Sequence, residues 1–127
     1  MDSHPALLIL VEDEPDLRDA LQEYFEAYDF LVLSAGSAEE ALTVSRGKSP
    51  DVVLTDLSLP DNRGDSFLEA FHDEHPNCLL YVHSGDSTFV PSGHLQAMGL
   101  LPSHVFSKPA DLGLMTVQIQ KALKIKT

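Results

Sequence analysis

Short apolar runs alternate with amphipathic helical segments from one end of this chain to the other, and this alternation limits the possible folds most. The first run, Ala6–Val11, is continuously apolar, as expected for a strand covered on both faces of a sheet. An apolar residue then recurs every three or four positions over Pro15–Ala27, which predicts a helix there. Proline is tolerated in the first turn of a helix, so a helix that begins at Pro15 is allowed.

The rest of the chain repeats this strand-then-helix pattern. The further predicted strands are Phe30–Ser34, Asp51–Asp56, Cys78–Ser84 and His104–Ser107. A second helix is predicted from Ala38 to near Gly47, preceded by a Ser37–Glu40 capping box. A third helix is capped by Asp65 or Ser66 and ended by Pro76. A short helix at His94–Gly99 and a last helix capped by Asp111 follow. Prolines and glycines interrupt Gly85–Pro102, so only a short helix is predicted in that stretch.

Strands that alternate with helices predict an α/β fold with a parallel sheet and right-handed crossovers. In the flavodoxin-like strand order 2-1-3-4-5, the switch point lies between the first and third strands. This order places Glu12 and Asp13 beside Asp56, with Ser84 and Lys108 on the next strands outward. The positions of these polar residues therefore favour a five-stranded, doubly wound sheet with helices on both faces.

Length, charge and cysteine content exclude several classes of protein. The chain has 127 residues, which predicts a single domain over 1–127. Its 8 basic and 20 acidic residues give a net charge of −12, which argues against direct binding to nucleic acid or an anionic membrane. The start MDSHPA lacks the pattern of a secretory signal, and no apolar run approaches the ~20 residues of a membrane span. The single Cys78 suits a reducing compartment, so we expect a soluble cytoplasmic protein.

Charged and hydroxyl side chains stand at the ends of four predicted strands. Glu12 and Asp13 follow LLILV, Asp56 follows DVVLT, Ser84 ends CLLYVHS, and Lys108 follows HVFS. The carboxyl ends of parallel strands meet at one edge of the sheet, where open α/β folds build their sites. Two unit negative charges about 4 Å apart repel by roughly 4 kcal/mol at a protein surface. A hard divalent cation such as Mg²⁺, which prefers oxygen ligands, would offset that repulsion.

These groups suggest a division of roles in phosphoryl chemistry. An aspartate can act as a nucleophile and form an acyl phosphate, and Asp56 lies in the middle of the cluster. Asp13, with Glu12 acting through water, would hold the metal. The positively charged ammonium of Lys108 would lie beside the phosphoryl oxygens, and Ser84 would donate a hydrogen bond to one of them. Each residue alone also has a structural interpretation as a cap or turn former, and the functional hypothesis depends on their combination.

Four segments carry a resemblance to a known family: LILVEDEPDLRDAL, PDVVLTDLSLPDNRGDSF, YVHSGD and FSKPADL. Over about Leu7–Leu123 the chain resembles the receiver domain of response regulators, the phosphoacceptor module of two-component signalling. The resemblance implies that Asp56 accepts a phosphoryl group from a phosphohistidine on a histidine kinase or a histidine phosphotransfer protein. It implies that Ser84 and Lys108 are the switch hydroxyl and lysine of a signalling domain that catalyses only its own phosphorylation and dephosphorylation.

The resemblance also implies a metal site and a set of partners. Mg²⁺ would be bound by Asp13, Asp56 and the backbone carbonyl of Ser58, with Glu12 acting through water. The surface of the last strands and helices would control an unidentified downstream target or a fused output domain. The domain would be a monomer or a phosphorylation-dependent dimer.

The chain departs from the family pattern near its last strand. The family usually has Tyr or Phe three residues before the lysine, where this chain has Val105. Phe106 follows, and side-chain alternation predicts that it faces the opposite side of the sheet. The segment between Ser84 and Lys108 is also slightly longer than usual, which predicts an unusual output face. His83 is expected to point away from the site.

Three alternatives compete with this interpretation. A small Mg²⁺-dependent phosphotransferase of the haloacid-dehalogenase type would carry a second Asp where this chain has Ser58, and the chain is short for a substrate cap. A flavin-binding module would need a phosphate-binding loop after the first strand, where EDEPD would repel phosphate. A pseudo-receiver that docks partners without phosphorylation would lack one of Asp13, Asp56 and Lys108, and all three are present.

Overall fold

The computed structural model describes residues 5–61 and 64–126, and for residues 64, 125 and 126 it describes the backbone alone. The first four residues, the centre of the turn-rich SLPDNRG loop at residues 62–63, and the side chain of Lys126 therefore lie outside the described part. Within it, none of the helices combines the length and apolarity that a membrane span requires.

Five strands and five α-helices alternate along the described residues. The strands are β1 Leu7–Val11, β2 Leu31–Ala35, β3 Val52–Thr55, β4 Leu79–Ser84 and β5 Val105–Ser107. The helices are α1 Pro15–Ala27, α2 Ala38–Ser45, α3 Gly64–Glu74, α4 Gly93–Ala97 and α5 Leu112–Lys126, and a 3-10 turn at Pro102–His104 precedes β5. The helix α3 begins at Gly64, so Asp65 and Ser66, the residues predicted to precede it, lie inside its first turn.

All strands are parallel, and their order across the sheet is β2-β1-β3-β4-β5. The predicted fold class, a flavodoxin-like doubly wound sheet, is therefore confirmed. The chain reverses its direction of travel across the sheet between β1 and β3, which are direct neighbours. Their carboxyl ends consequently flank the crevice where such folds bind ligands.

Alternate side chains of each strand enter two separate apolar cores. The α2–α4 core, for example, contains Ile9, Val53 and Leu80 from the strands and Phe67, Phe71 and Leu95 from the helices. The α1–α5 core contains Leu8, Leu10, Leu54 and Tyr81 from the strands and Phe25, Met115 and Ile119 from the helices. Burying one such side chain contributes roughly 1.5–3 kcal/mol, so both faces of the central strands are fixed in place.

Neighbouring residues of β5 divide between these cores. Val105 packs against the α2–α4 core, and Phe106 packs against the α1–α5 core, where its ring stacks on Tyr81 with centroids 6.1 Å apart. The prediction that Phe106 faces the opposite side of the sheet from Val105 is therefore confirmed.

The start of α2 follows the predicted capping box with one change. The Ser37 hydroxyl accepts a hydrogen bond from the backbone N–H of Glu40 at 3.1 Å. The Glu40 carboxylate accepts from the N–H of Gly36, one residue before the cap. The N–H groups of Gly36 and Glu40 at the start of α2 thus both have acceptors, and the start of this helix is fixed close to the end of β1.

Candidate functional site

The backbone ladder of the sheet continues one residue beyond β1 and β3 and carries the acidic residues with it. The N–H of Glu12 donates to the carbonyl of Ala35, and the N–H of Asp56 donates to that of Val11, both at 3.0 Å. Carboxylate oxygens of Glu12, Asp13 and Asp56 all lie within 4.8 Å of one another. Glu12 is 2% exposed and Asp56 is 8% exposed, whereas Asp13 is open to solvent. The predicted acidic cluster is thus present at the switch point.

Lys108 links this cluster to the last strand. Its ammonium donates to Glu12 Oε1 at 2.9 Å and to Asp56 Oδ2 at 2.8 Å. Its backbone N–H donates to the carbonyl of Ser84 at 2.7 Å, which fixes where the side chain begins. Buried carboxylates need a partner of opposite charge, and in this state the lysine supplies it.

Burial and pairing act in opposite directions on these groups. Burial raises the pKa of the Glu12 carboxyl, and the hydrogen bond from Lys108 opposes that rise only in part. Burial alone would lower the pKa of Lys108, but the hydrogen bonds to Asp56 and Glu12 outweigh it and raise the pKa. An isolated ion pair would lower the pKa of its acid and raise the pKa of its base, but here both pKa values are raised. The reason is that Lys108 is shared between two carboxylates while Glu12 is almost fully enclosed. Lys108 is therefore positively charged at neutral pH.

Ser84 lies at the carboxyl end of β4, where it was expected, but its hydroxyl is engaged outside the cluster. The residue is 2% exposed, and its Oγ accepts a hydrogen bond from the N–H of Asp86 at 3.0 Å. A hydroxyl that accepts one bond still has its own proton to donate. The Ser84 hydroxyl therefore keeps a proton to donate, while its oxygen accepts from the N–H of Asp86.

The loop after β3 is held at two points. The N–H of Ser58 donates to Asp56 Oδ1 at 3.3 Å. The carboxylate of Asp61 accepts from the N–H groups of Ala38 and Glu39, both at 2.9 Å, and these bonds hold the pKa of Asp61 below its usual value. Asp61 therefore caps α2 from another loop. Sequence reasoning missed this contact because nothing in local spacing shows that the two loops meet.

Arg18 is a second neighbour of the site that the sequence analysis did not identify. Its guanidinium donates to the backbone carbonyl of Glu12 at 2.9 Å. The same group passes so close to Gly36 that a Cβ there would lie 2.8 Å from Arg18 Nη1. Gly36 thus gives the arginine room to reach the carbonyl and brace the acidic turn after β1.

His83 differs from the expectation that it points away from the site. The β3–β4 register pairs Thr55 with Val82, and continuing it by one residue pairs Asp56 with His83. Both side chains therefore leave the sheet on the same face. The expectation is wrong because Ser84, which neighbours His83, faces the opposite side of the sheet from Asp56.

The donor set of the cluster fits a hard divalent cation. Three carboxylates from two adjacent strand ends converge, one of them open to solvent. Mg²⁺ takes few protein carboxylates and keeps several waters, and a site with one solvent-facing ligand leaves room for those waters.

Comparison with known proteins places this chain in a family. The sequence profile described as "Response regulator receiver domain" matches residues 8–120. A cyclic di-GMP phosphodiesterase of Thermotoga maritima is 27% identical over 118 residues, which is 92% of this chain and 31% of that protein. The sporulation initiation phosphotransferase F of Bacillus subtilis is 25% identical over 122 residues, which is 94% of this chain and 95% of that protein. This chain thus spans less than a third of the first relative and nearly all of the second.

Solved structures support the fold. The receiver domain of the Francisella response regulator 1452 superposes with a TM-score of 0.80 over 96% of this chain and 99% of that chain, at 17% identity. An identity this low supports the architecture alone. The profile match, which covers most of the chain, supports more, and the protein described here belongs to the response regulator receiver domain family.

Proposed function

We propose that this receiver domain, a signalling domain rather than a dedicated enzyme, accepts a phosphoryl group on Asp56 in the presence of Mg²⁺. The donor is a phosphohistidine on a histidine kinase or a histidine phosphotransfer protein. The observation that carries the proposal is the position of Asp56, whose carboxylate lies 2.8 Å from the Lys108 ammonium and within 4.8 Å of carboxylate oxygens of Glu12 and Asp13.

The metal would be held by Asp13, Asp56 and the backbone carbonyl of Ser58, with Glu12 acting through water. When bound, Mg²⁺ supplies positive charge that neutralises the carboxylates and the oxygens of the incoming phosphoryl group. The hydrogen bond from the Ser58 N–H to Asp56 supports this assignment, because it keeps the loop that carries the Ser58 carbonyl next to the acceptor.

Phosphoryl transfer needs positioning and charge neutralisation more than acid–base catalysis. An oxygen of the Asp56 carboxylate attacks phosphorus, the O–P bond forms, and the P–N bond to the donor imidazole breaks. The imidazole leaves with its electron pair and takes a proton. Lys108 then moves from the Asp56 carboxylate to a phosphoryl oxygen, and the Ser84 hydroxyl donates to another. Later, water attacks phosphorus, the O–P bond to Asp56 breaks, and inorganic phosphate and a proton leave the restored carboxylate.

This rearrangement would switch the last part of the sheet. Turning a 1:99 equilibrium into 99:1 needs about 5.5 kcal/mol of differential interaction. A hydrogen bond to a charged group contributes about 1.5–3 kcal/mol, so the new bond from Ser84 would supply part of it, together with whatever Lys108 gains beyond the bond it gives up at Asp56. The new surface would control a downstream target or a fused output domain.

The remaining assignments follow the same proposal. Residues 1–127 form one receiver domain that works in the cytoplasm, where its kinase or phosphotransfer partner would meet it. It is a monomer or a phosphorylation-dependent dimer, and gel filtration with and without a phosphoryl mimic separates these two.

Intact-mass measurement tests the proposal. The protein is incubated with Mg²⁺ and acetyl phosphate, and we expect a gain of one phosphoryl mass. Asp56→Asn abolishes the gain, and Asp19→Asn, a control on the exposed side of α1, keeps it. Labelling that survives Asp56→Asn would exclude Asp56 as the acceptor. If the wild type gains no mass, the alternative of a pseudo-receiver that docks without phosphorylation replaces the proposal.

A further inference from the structure

His83 is a buried polar side chain that the mechanism above does not use. It is 5% exposed, and neither of its ring nitrogens has a hydrogen-bond partner. Among the described residues, three buried side-chain nitrogen or oxygen atoms lack a partner, and two of the three belong to this one ring. An enclosed imidazole without any hydrogen bond is unfavourable, because at least one N–H has lost its water without replacement.

The position of this ring relates it to the acceptor. Extending the strand registers by one residue places Glu12, Asp56, His83 and Phe106 side by side across the sheet, all on the α1–α5 face. Neighbouring positions on parallel strands are about 4.8 Å apart, so the imidazole and the Asp56 carboxylate start from adjacent backbones. The charges of both Lys108 and Asp56 act on the ring, while burial keeps its pKa below the usual value. It is therefore a neutral imidazole, which carries one N–H.

In the unphosphorylated state, other donors already lie beside the Asp56 side chain. The Asp56 carboxylate already accepts from the Lys108 ammonium on Oδ2 and from the Ser58 N–H on Oδ1. If Lys108 moves to a phosphoryl oxygen, its place beside the Asp56 side chain is vacated. A movement of the end of β4 that brings Ser84 toward the phosphoryl group carries His83 in the same direction, because the two residues are adjacent in the chain.

We propose that His83 is a positioning residue of the acceptor site, whose imidazole N–H has no partner in the unphosphorylated protein and donates to a side-chain oxygen of Asp56 after Lys108 has moved. This inference rests on the proposed function and adds to it a group that this chain uses to stabilise the phosphorylated arrangement. The unpartnered ring disfavours the resting state, and the hydrogen bond gained favours the phosphorylated one.

Imidazole ¹⁵N NMR tests the hydrogen bond directly. The protein labelled at histidine nitrogens is measured with Mg²⁺ alone and then with Mg²⁺ and beryllium fluoride, which mimics the phosphoryl group. We expect the His83 ¹⁵N–¹H signal to have the shift of an N–H without a partner in the first state and that of a hydrogen-bonded N–H in the second. His75 is the internal control, because its Nε2 already pairs with Ser45 Oγ at 3.1 Å away from the site, and its signals stay unchanged.

Two variants give the functional measurement. His83→Leu fills the same space without a donor, and we expect its apparent affinity for beryllium fluoride to fall about tenfold, as for the loss of one buried hydrogen bond. His83→Gln retains an N–H donor and loses less. If His83→Leu does not fold, the NMR measurement on the wild type still decides.

The outcomes separate this inference from the function on which it rests. If beryllium fluoride shifts the amides of Ser84 and Lys108 but leaves the His83 ring unchanged, the positioning role is wrong and the acceptor function stands. The shift of a hydrogen-bonded His83 N–H before beryllium fluoride is added also overturns the inference. If no residue of the site responds and acetyl phosphate adds no mass, both fail together.

Discussion

The strands that carry the acidic cluster and the segment that delivers the lysine are built in opposite ways. Every residue of β3 and nearly every residue of β1 is buried, and helices of 13, 8 and 11 residues pack around them. The α4–β5 segment, residues 85–107, has a five-residue helix and a three-residue strand that is at most half-buried. It also exposes Val90 and Leu101, which are 71% and 46% accessible.

This difference in burial suits the different roles proposed for the carboxylates and for Lys108. Carboxylates that must hold their spacing stand on strands packed on both faces, where movement would disrupt two cores at once. Lys108 follows this less buried segment, so its contact with Asp56 joins strands that are packed on both faces to a strand that is at most half-buried. Under the proposed function, a chemical change at Asp56 would act through Lys108 on the α4–β5 segment while β1 and β3 stay in place.

The largest expected difference is in the free energy of unfolding when the same Leu→Ala substitution is made in each region. Leu54 in β3 and Leu100 after α4 are both fully buried. We expect Leu54→Ala to cost about 4 kcal/mol in the free energy of unfolding and Leu100→Ala about 2 kcal/mol, because the looser segment can collapse into the space. Urea denaturation measures both. Equal costs, or a greater cost at Leu100, would remove the mechanical contrast.

Removing the contact between the regions gives the next effect. Lys108→Met leaves two enclosed carboxylates without their cation, and we expect the unfolding free energy without Mg²⁺ to fall by about 2 kcal/mol. Saturating Mg²⁺ should restore part of that loss. Lys48→Met, on the exposed surface, is the matched control and should change little. A Lys108 variant as stable as the control would show that the ion pair does not support the site.

A smaller effect is expected at the loop that follows β3. Asp61→Asn keeps the size of the side chain but removes its charge and one of its two acceptor oxygens, so we expect a loss of about 1 kcal/mol at neutral pH. The pKa of Asp61 is lowered in the folded protein, so its contribution is present above 3.8 and is lost as the pH falls through the folded pKa. The difference from wild type should therefore vanish in acid. A difference that persists there would contradict an electrostatic cap.

The smallest effect concerns Glu12, whose pKa is shifted in the opposite direction. Because burial raises the folded pKa of this carboxyl, the folded protein binds the proton more tightly than the unfolded chain does. Stability without Mg²⁺ should therefore decrease as the pH rises above 4.5. Glu12→Gln should lose less stability over that range, measured by denaturant titration at several pH values. Parallel profiles for variant and wild type would be incompatible with the burial of an ionisable Glu12.

Most of the fold was predictable because it depends on patterns that are local in sequence. Continuous apolar runs predict the strands, and the polar residues at the ends of these runs favour the strand order. The prediction was less accurate around α4. We expected a helix at His94–Gly99, but the Ser92 hydroxyl accepts from Leu95 N–H and begins the helix at Gly93. A positive φ of 106° at Gly99 then lies beyond its end, a conformation that glycine adopts without strain.

The site was predictable in its members but not in its contacts. Strand ends indicated which residues converge, since parallel strands share one carboxyl edge. The bond from Asp61 to α2, the reach of Arg18 over Gly36 and the unpartnered ring of His83 depend on how separate loops and faces pack. Those relationships have no counterpart in the spacing of residues along the chain.

The central claim is that Asp56, and no other carboxylate of the cluster, carries the phosphoryl group. Borohydride reduces an acyl phosphate to an alcohol, so reduction of the phosphorylated protein followed by peptide mass mapping locates the acceptor. The account predicts homoserine at position 56 and unmodified residues at 12 and 13. A reduced side chain at either of those positions, or none anywhere in a protein that has gained the phosphoryl mass, would contradict it.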